Sequence, residues 1–315
     1  MMNYRQVLDR VREYVGTTVG APLITLIGPT ASGKTELSLR LARDLPLEII
    51  SADARQVYRG MDIATGKVSQ EVRDQVSHHL IDIRNPDEAY TVKDFMGEAR
   101  ACIDEIIKRD HIPCIVGGTG LYVSALLEGY QLHDEDEDAR ILQQDLEDRY
   151  KAEGMGVLHH ELERRGIVRE SISSQDYANY RRVIRHIVRS HSGMDREQHR
   201  RSGSTSLSAL TIGINYDTDT LRQELYDKIN NRHRDMYRDG LLDEVRLLMA
   251  SGYGQHVSSM QTIGYREACR YSLGEMSLED AVTETQKRAR NYAKRQLTWW
   301  RKRTYITWVD PITYK

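Results

Sequence analysis

The chain has 315 residues, 39% of them hydrophobic and 29% charged, with a formal net charge of −2 and only three cysteines. This length and composition predict a globular protein with a large core and one or two domains. No apolar run reaches the roughly 20 residues that cross a bilayer, no secretory signal opens the chain, and no C-x-x-C pair suggests a zinc finger or a disulfide framework, so we expect a cytoplasmic protein.

The first predicted element is a short amphipathic helix, a helical extension over residues 1–19. Its apolar positions Val7, Leu8, Val11 and Val15 lie near one helical face. The apolar run "APLITLIG" follows and predicts a buried strand that ends in a glycine. The next segment, "ELSLRLARDL", has the leucine spacing of a helix.

Between this strand and this helix lies "GPTASGKT", which matches the phosphate-binding loop pattern G-x-x-x-x-G-K-[ST]. In such a loop, successive N–H groups converge on an anion at a helix N-terminus. A lysine adds a charge, and the hydroxyl of Thr35 can reach Mg²⁺. The pattern usually indicates ATP or GTP binding, but by itself it predicts only a phosphate or diphosphate with magnesium. The predicted diphosphate-binding residues are Gly28, Pro29, Thr30, Ala31, Ser32, Gly33, Lys34 and Thr35.

Further apolar runs, "LEIIS", "HLIDI" and "IPCIVGG", alternate with helical patterns such as "VKDFMGEARACIDEIIKR". This alternation predicts an α/β fold, a P-loop NTPase-like parallel sheet with helices on both faces. Asp53 and the segment Gly117–Thr119 each follow a strand, at the edge where such sheets bind ligands. The carboxylate of Asp53 could bind Mg²⁺, accept a proton from a substrate or cap the next turn, and the residues alone leave these roles open.

The pattern changes after Tyr130. An acidic helical stretch, "HDEDEDARILQQDLEDRYKAEG", precedes a basic one, "RRVIRHIVRSHSGMDREQHRR", and strand-like runs return at "ALTIGINY" and "TYITWV". We therefore predict a helical insertion over residues 131–205 in a catalytic core formed by residues 20–130 and 206–315.

Two stretches concentrate positive charge in a nearly neutral chain: the basic stretch of the insertion and "QKRARNYAKRQLTWWRKR" near the C-terminus. Such stretches are typical of surfaces that bind RNA phosphates, but they also occur on solvated helix faces. Trp299 and Trp300 could stack on a base or pack the last helix onto the core, and packing is the favoured interpretation.

Several motifs occur together and in order: "GPTASGKT", "SADxxQVYRGMDIxTxK", "HHLIDIRNPDEAYTVKDF" and "IPCIVGGTGLYVSALLEG", then "INNRHRDMYRDGLLDEVRLL", "QTIGYREA" and "NYAKRQLTWWRKR". With them the chain resembles the tRNA dimethylallyltransferase family from about residue 22 to 310. The resemblance implies a Mg²⁺-dependent transferase that moves the dimethylallyl group of dimethylallyl diphosphate to N6 of adenosine 37, beside the anticodon of tRNAs reading codons that start with U. The product would be N6-dimethylallyladenosine, and the P-loop would hold diphosphate rather than ATP.

The resemblance also implies residue roles. Asp53 would be the general base toward the adenine N6 amino group, Thr119 would lie near the reacting centre, and Arg232 would contact the diphosphate. Residues implied to bind the tRNA anticodon stem-loop are Asp53, Ala54, Arg55, Gln56, Arg140, Arg181, Arg182, Arg185, Gln261, Gly264, Tyr265, Arg266, Lys294 and Arg295.

The chain departs from the family pattern at a few positions. Ala54 replaces a common serine, "ATGKV" replaces "GTAKP", and "HIV" at 186–188 replaces "ALE". Three alternatives stay open: a prenyltransferase for AMP, ADP or ATP, a small-molecule P-loop kinase, and an RNA-binding protein with an inactive loop. The first alternative is disfavoured because such relatives commonly lack the insertion and the C-terminal basic element. We expect a monomer.

Overall fold

The protein is described here from a computed structural model, in which residues 3–131, 137–191 and 207–311 are described. Residues 132–136, which include the start of the acidic stretch, and the part of the basic stretch from 192 onward lie outside these residues. The chain divides into two compact units, a larger one formed by 1–127 and 206–315 and a smaller one formed by 128–205.

The larger unit is built on a six-stranded parallel sheet in the order β3-β2-β4-β1-β5-β6. Each pair of neighbouring strands is parallel, so the predicted α/β fold class is confirmed. The strands are β1 Ile24–Ile27, β2 Leu47–Ser51, β3 His78–His79, β4 Ile112–Gly117, β5 Leu210–Ile214 and β6 Ile306–Val309.

Helices connect and cover these strands. Around the sheet lie α1 Tyr4–Thr17, α2 Lys34–Asp44, α3 Gln70–Gln75, α4 Val92–Lys108 and α5 Gly120–Glu128. After β5 come α10 Asp219–Arg238, α11 Leu241–Ala250, α12 Tyr265–Ser272 and α13 Leu278–Trp300, with a 3₁₀ turn at Ser259–Gln261. No helix in the described ranges is long and apolar enough to cross a membrane.

The two faces of the sheet bury separate apolar cores because alternate residues of a strand point to opposite faces. Ile24 and Leu26 of β1 pack with α1, α2, α10 and α13. Ile27 packs on the other side with Phe95 of α4 and with Trp300. Trp300 is fully buried, and the indole of Trp299 donates to Ser124 Oγ at 3.1 Å, which supports the packing interpretation of both tryptophans.

The predicted strand "HLIDI", residues 79–83, is wrong beyond its first residue, since β3 contains only His78–His79. Leu80 and Asp82 adopt φ values of +61° and +58°, which end the extended conformation. Asp82 is bound there by Lys67 and, at 2.7 Å, by Arg73. The chain therefore leaves the sheet where Asp82 joins an ion-pair network around the buried Lys67, which an apolar run cannot reveal.

The smaller unit is helical in its described part. Its elements are α6 Glu137–Glu153, α7 Met155–Arg164, α8 Ser174–Tyr177 and α9 Tyr180–His191, with a 3₁₀ turn at Arg169–Ser171. Leu146, Leu158, Val183 and Ile187 form its core. The buried Glu161 binds Arg164 and Arg165, and these charged hydrogen bonds lower its pKa to about 2.

Candidate active site

The phosphate-binding loop joins β1 to α2 as the sequence predicts. Gly33 is the N-cap of α2 in the left-handed conformation, with φ +93°. Ala31 also has a positive φ, of +60°. This backbone places the loop around the N-terminus of α2, where unpaired N–H groups and the helix dipole favour an anion.

The polar side chains of the loop fit a diphosphate with Mg²⁺. The hydroxyl of Ser32 is buried and has no hydrogen-bond partner among the described residues. Lys34 Nζ donates to Pro29 O at 2.7 Å, so the ammonium lies over its own loop. Thr35, in the first turn of α2, lines the cavity beside the loop. Its hydroxyl could bind a cation held by diphosphate oxygens. Within the described ranges, no cluster of three His, Cys, Asp or Glu side chains could hold a metal by itself.

A cavity of about 890 Å³ opens beside this loop, within the size range of small-molecule sites. It lies at the carboxyl ends of β1, β2 and β4, the usual ligand position in open α/β sheets. Its polar wall combines the loop, the segment after β2, the glycine turn after β4, and helices α10 and α13. The residues that matter for its chemistry are Lys34, Thr35, Asp53, Arg55, Gln56, Thr119, Lys228, Arg232, Arg288, Tyr292, Arg295 and Gln296.

Asp53 is positioned by a turn directly after β2. Its Oδ1 accepts a hydrogen bond from Arg55 N at 2.8 Å, while Oδ2 carries no hydrogen bond from any described residue. Lys34 and Arg232 are both within electrostatic range of this carboxylate. One oxygen thus orients the side chain and the other is available to a substrate.

Two cations balance Asp53. Burial lowers the pKa of Lys34 to about 8, an effect that Asp53 opposes and Arg232 reinforces. Burial also lowers the pKa of Arg232, again opposed by Asp53. A Cβ added to Gly66 would overlap the guanidinium of Arg232, so this side chain packs directly on the Gly66 backbone. The site concentrates positive charge where a diphosphate would lie.

Thr119 joins the ends of β2 and β4. Its Oγ1 accepts from Ala54 N at 3.3 Å, and its side chain lies close to the hydroxyl of Tyr292 of α13. A Cβ on Gly117 would overlap the Ala52 backbone, which explains the glycine there. Asp53 and Thr119 therefore lie on two closely packed strand ends.

The predicted tRNA-binding residues of the larger unit fall into three groups. Ala54, Arg55, Gln56, Gln261 and Arg295 line the cavity. The amide of Gln56 is already held by Ser51 Oγ at 2.8 Å and by Thr65 O at 3.2 Å. Arg266 and Lys294 are exposed outside the cavity wall.

Gly264 and Tyr265, two further predicted tRNA-binding residues, lie in the interior of the larger unit. The side chain of Tyr265 is fully buried, and its hydroxyl donates to Glu244. Gly264 is buried at the N-cap of α12, where an added Cβ would lie 2.8 Å from Ala64 Cβ. Both residues are buried in the larger unit, and their contact with tRNA stays a prediction.

The predicted RNA-contacting arginines of the smaller unit are all exposed. Arg140 lies on α6, and the other three lie on α9. Arg181 donates to Tyr180 Oη at 2.9 Å, and Arg182 pairs with Asp176. Arg185 follows one turn after Arg181 on α9.

Sequence reasoning missed several residues of the cavity. From α13, Gln296 contacts the phosphate-binding loop and Tyr292 lies close to Thr119. Lys228 and Arg288 add positive charge to the cavity wall. The segment "RARNYAKRQ" contained a signal for these residues, since helix positions three to four apart share a face. That spacing places Arg288, Tyr292, Arg295 and Gln296 together.

A parallel sheet with a glycine-rich loop between β1 and α2, and with charged groups at the same edge, defines a P-loop-like fold with a candidate anion site. The family model described as IPP transferase matches residues 56–303, and the model described as Isopentenyl transferase matches residues 21–87. The chain belongs to the IPP transferase family and is a transferase, which confirms the resemblance described in the sequence analysis.

Curated relatives cover nearly the whole chain. The protein named tRNA dimethylallyltransferase of Macrococcus caseolyticus is 41% identical over 295 residues, 92% of this chain and 90% of that protein. The protein of the same name in Bacillus subtilis is 40% identical over 295 residues, with the same coverage.

Solved structures agree with the fold. The full-length tRNA isopentenylpyrophosphate transferase of Bacillus halodurans is 38% identical, with a TM-score of 0.68 over 93% of this chain and 91% of that one. A eukaryotic dimethylallyltransferase acting on tRNA matches with a TM-score of 0.72 over 93% of this chain and 74% of that one, and at 22% identity it supports the fold alone.

Proposed function

We propose that this protein transfers the dimethylallyl group of dimethylallyl diphosphate to N6 of an adenosine beside the anticodon of tRNA and releases diphosphate. The observation that carries the proposal is one cavity that joins the phosphate-binding loop to Asp53 and Thr119. The names of the curated relatives support the same activity.

The loop and the neighbouring cations would bind the diphosphate. Lys34, Arg232 and the N–H groups at the start of α2 supply positive charge in a partly buried cavity, where electrostatic attraction is stronger than in water. The hydroxyls of Ser32 and Thr35 add donors. A bound Mg²⁺, held by Thr35 and diphosphate oxygens, would neutralise part of the charge of the leaving group.

Asp53 would act on the acceptor. The N6 lone pair of adenine forms a bond to C1 of the prenyl group while the bond from C1 to the diphosphate oxygen breaks. The nitrogen then loses a proton, which the free Oδ2 of Asp53 accepts. Thr119, whose Oγ1 accepts from Ala54 N and lies beside Tyr292, would hold the reacting groups in line.

The active form that we propose is a monomer. Exposed arginines on α9 and exposed Lys294 and Arg295 on α13 offer positive charge for an RNA backbone. A tRNA acceptor also supports a cytoplasmic location.

The test is incubation of the protein with labelled dimethylallyl diphosphate, Mg²⁺ and one acceptor at a time: bulk tRNA, AMP or ATP. We expect label in tRNA only. Transfer to AMP or ATP instead would establish an adenylate prenyltransferase. Turnover of ATP without prenyl transfer would establish a kinase-type or ATPase activity.

A further inference from the structure

The side chain of Gln296 links two parts of the cavity wall that are far apart in sequence. It lies on α13 and is only 5% exposed. Its Oε1 accepts from Thr30 N in the phosphate-binding loop at 2.8 Å, and its Nε2 donates to Gly118 O at 2.9 Å. An N–H can only donate and a carbonyl can only accept, so the two partners fix the orientation of the amide.

The packing around this amide is equally specific. A Cβ added to Gly118 would overlap Gln296 Nε2, and a Cβ added to Gly120 would overlap the indole of Trp299. The glycines after β4 therefore allow α13 to approach closely. One turn before Gln296, the hydroxyl of Tyr292 lies close to Thr119, the residue that follows Gly118.

We propose that Gln296 is a positioning residue for prenyl transfer, an inference that rests on the proposed function. It holds the backbone of the loop at Thr30 and the strand end at Gly118 in a fixed relation. The first segment positions the diphosphate, and the second positions Thr119 near the reacting carbon. Gln296 acts through these two segments and touches no reacting atom.

The same helix carries Lys294 and Arg295, which are proposed to contact tRNA. These residues are exposed, whereas Gln296 faces inward. The proposal therefore predicts a separation of effects: loss of Gln296 should disturb diphosphate binding and the chemical step, but not tRNA binding.

Two substitutions probe the amide. Gln296→Ala removes both hydrogen bonds. Gln296→Glu keeps the acceptor for Thr30 N but loses the donor and places a carboxylate oxygen against Gly118 O. A displaced reacting group can cost up to about 100-fold in rate. We expect both variants to bind inorganic diphosphate with Mg²⁺ more weakly, to raise the KM for dimethylallyl diphosphate and to lower the single-turnover rate, with the KM for tRNA unchanged.

The matched control is Gln286→Ala. Gln286 lies on the same helix and donates to Asn230 O at 3.0 Å, away from the cavity wall. It should leave diphosphate affinity and transfer rate unchanged. Two results would overturn the proposal and leave Gln296 a general structural role. One is a similar loss of diphosphate affinity and transfer rate in the Gln286 and Gln296 variants. The other is a rise in the KM for tRNA equal to the rise in the KM for dimethylallyl diphosphate.

A double substitution gives the sharper result. Gly118→Ala should be strongly harmful alone, because the new Cβ meets the Gln296 amide, and should add little loss in the Gln296→Ala background, where that amide is absent. Independent, multiplicative losses would contradict the proposal. If the unaltered protein transfers no prenyl group, the proposed function fails, but the diphosphate-binding arm still decides: equal affinity with and without Gln296 overturns the role assigned to it.

Discussion

Lys34 has a pKa lowered to about 8 because the ammonium is buried beside Arg232, with Asp53 in partial compensation. The charged form, which attracts diphosphate, dominates below this pH and is lost as the pH rises through it. We therefore expect the affinity for inorganic diphosphate with Mg²⁺ to fall between pH 7 and 9, by at most about tenfold per pH unit for one coupled proton.

The control for this pH dependence is Lys34→Met, measured by calorimetry over the same pH range. Ionisation of the ligand affects both proteins equally, so the difference between the two profiles isolates Lys34. The variant should bind weakly at every pH, and the gap between the proteins should close above pH 8. A gap that stays constant across the range would contradict the role of Lys34.

Asp53 offers a free Oδ2 toward the cavity and is the proposed general base. Asp53→Asn preserves the shape and an acceptor but cannot readily take the proton. General-base catalysis contributes about 10²–10⁴-fold, so the single-turnover rate should fall by that factor with little change in either substrate affinity.

A rival role for Asp53 is magnesium binding. In that case Asp53→Asn and Asp53→Ala should both weaken diphosphate binding, and added Mg²⁺ should restore part of the rate. Repeating the single-turnover assay across a magnesium titration separates the roles. Near-normal turnover in Asp53→Asn would exclude the general-base assignment.

Among individual residues, the sequence predicted those of the compact loop motif. It missed residues that line the site but are distant from the loop in sequence. Lys34 and Thr35 lie within one local pattern. Gln296 and Gly118 are 178 positions apart, and their contact depends on how α13 packs on the sheet. No local pattern encodes that packing.

Among the elements, the turn before α12 supports the segment that follows Asp53. Gly264 has φ +93°, and a Cβ there would lie 2.8 Å from Ala64 Cβ, beside cavity residues Thr65 and Gly66. We expect Gly264→Ala to lower the free energy of unfolding by about 2–4 kcal/mol, from backbone strain of about 1–3 kcal/mol at φ +93° and ψ −52° and from the added overlap.

The matched control is Gly274→Ala. Gly274 also has a positive φ, of +75°, but nothing lies within 4 Å of its added Cβ. Its free energy of unfolding should fall only by the backbone strain of about 1–2 kcal/mol. Denaturant unfolding of both variants measures the difference, and equal losses would show that the Ala64 contact is unimportant.

The elements themselves were largely predictable because a strand buried on both faces gives a continuous apolar run. β1, β2 and β4 were found this way. The run "HLIDI" was misleading because Asp82 is drawn out of the sheet by Lys67 and Arg73, two contacts made by another segment.

For the whole molecule, RNA binding is expected to depend on the exposed arginines of α9. We expect the triple variant Arg181→Ala, Arg182→Ala and Arg185→Ala to bind tRNA more weakly. The slope of the logarithm of the binding constant against the logarithm of the salt concentration should become shallower by up to about 0.9 per lost phosphate contact. Diphosphate affinity should stay the same, because these residues lie outside the diphosphate cavity.

A second triple variant controls for loss of charge. Lys108, Arg222 and Arg246 each pair with an acidic residue three positions earlier, in the larger unit. Their replacement by alanine should change tRNA affinity little. If both triple variants respond alike, the effect is one of net charge and not of a binding surface on α9.

The most direct test of the account is to identify the product nucleoside and its position. Unfractionated tRNA is incubated with the protein, dimethylallyl diphosphate and Mg²⁺, cut into fragments and analysed by mass spectrometry. The account predicts one dimethylallyl group on N6 of the adenosine that follows the anticodon, formed by the unaltered protein and nearly absent with Asp53→Asn. Modification at another nucleoside, or equal product with Asp53→Asn, would contradict it.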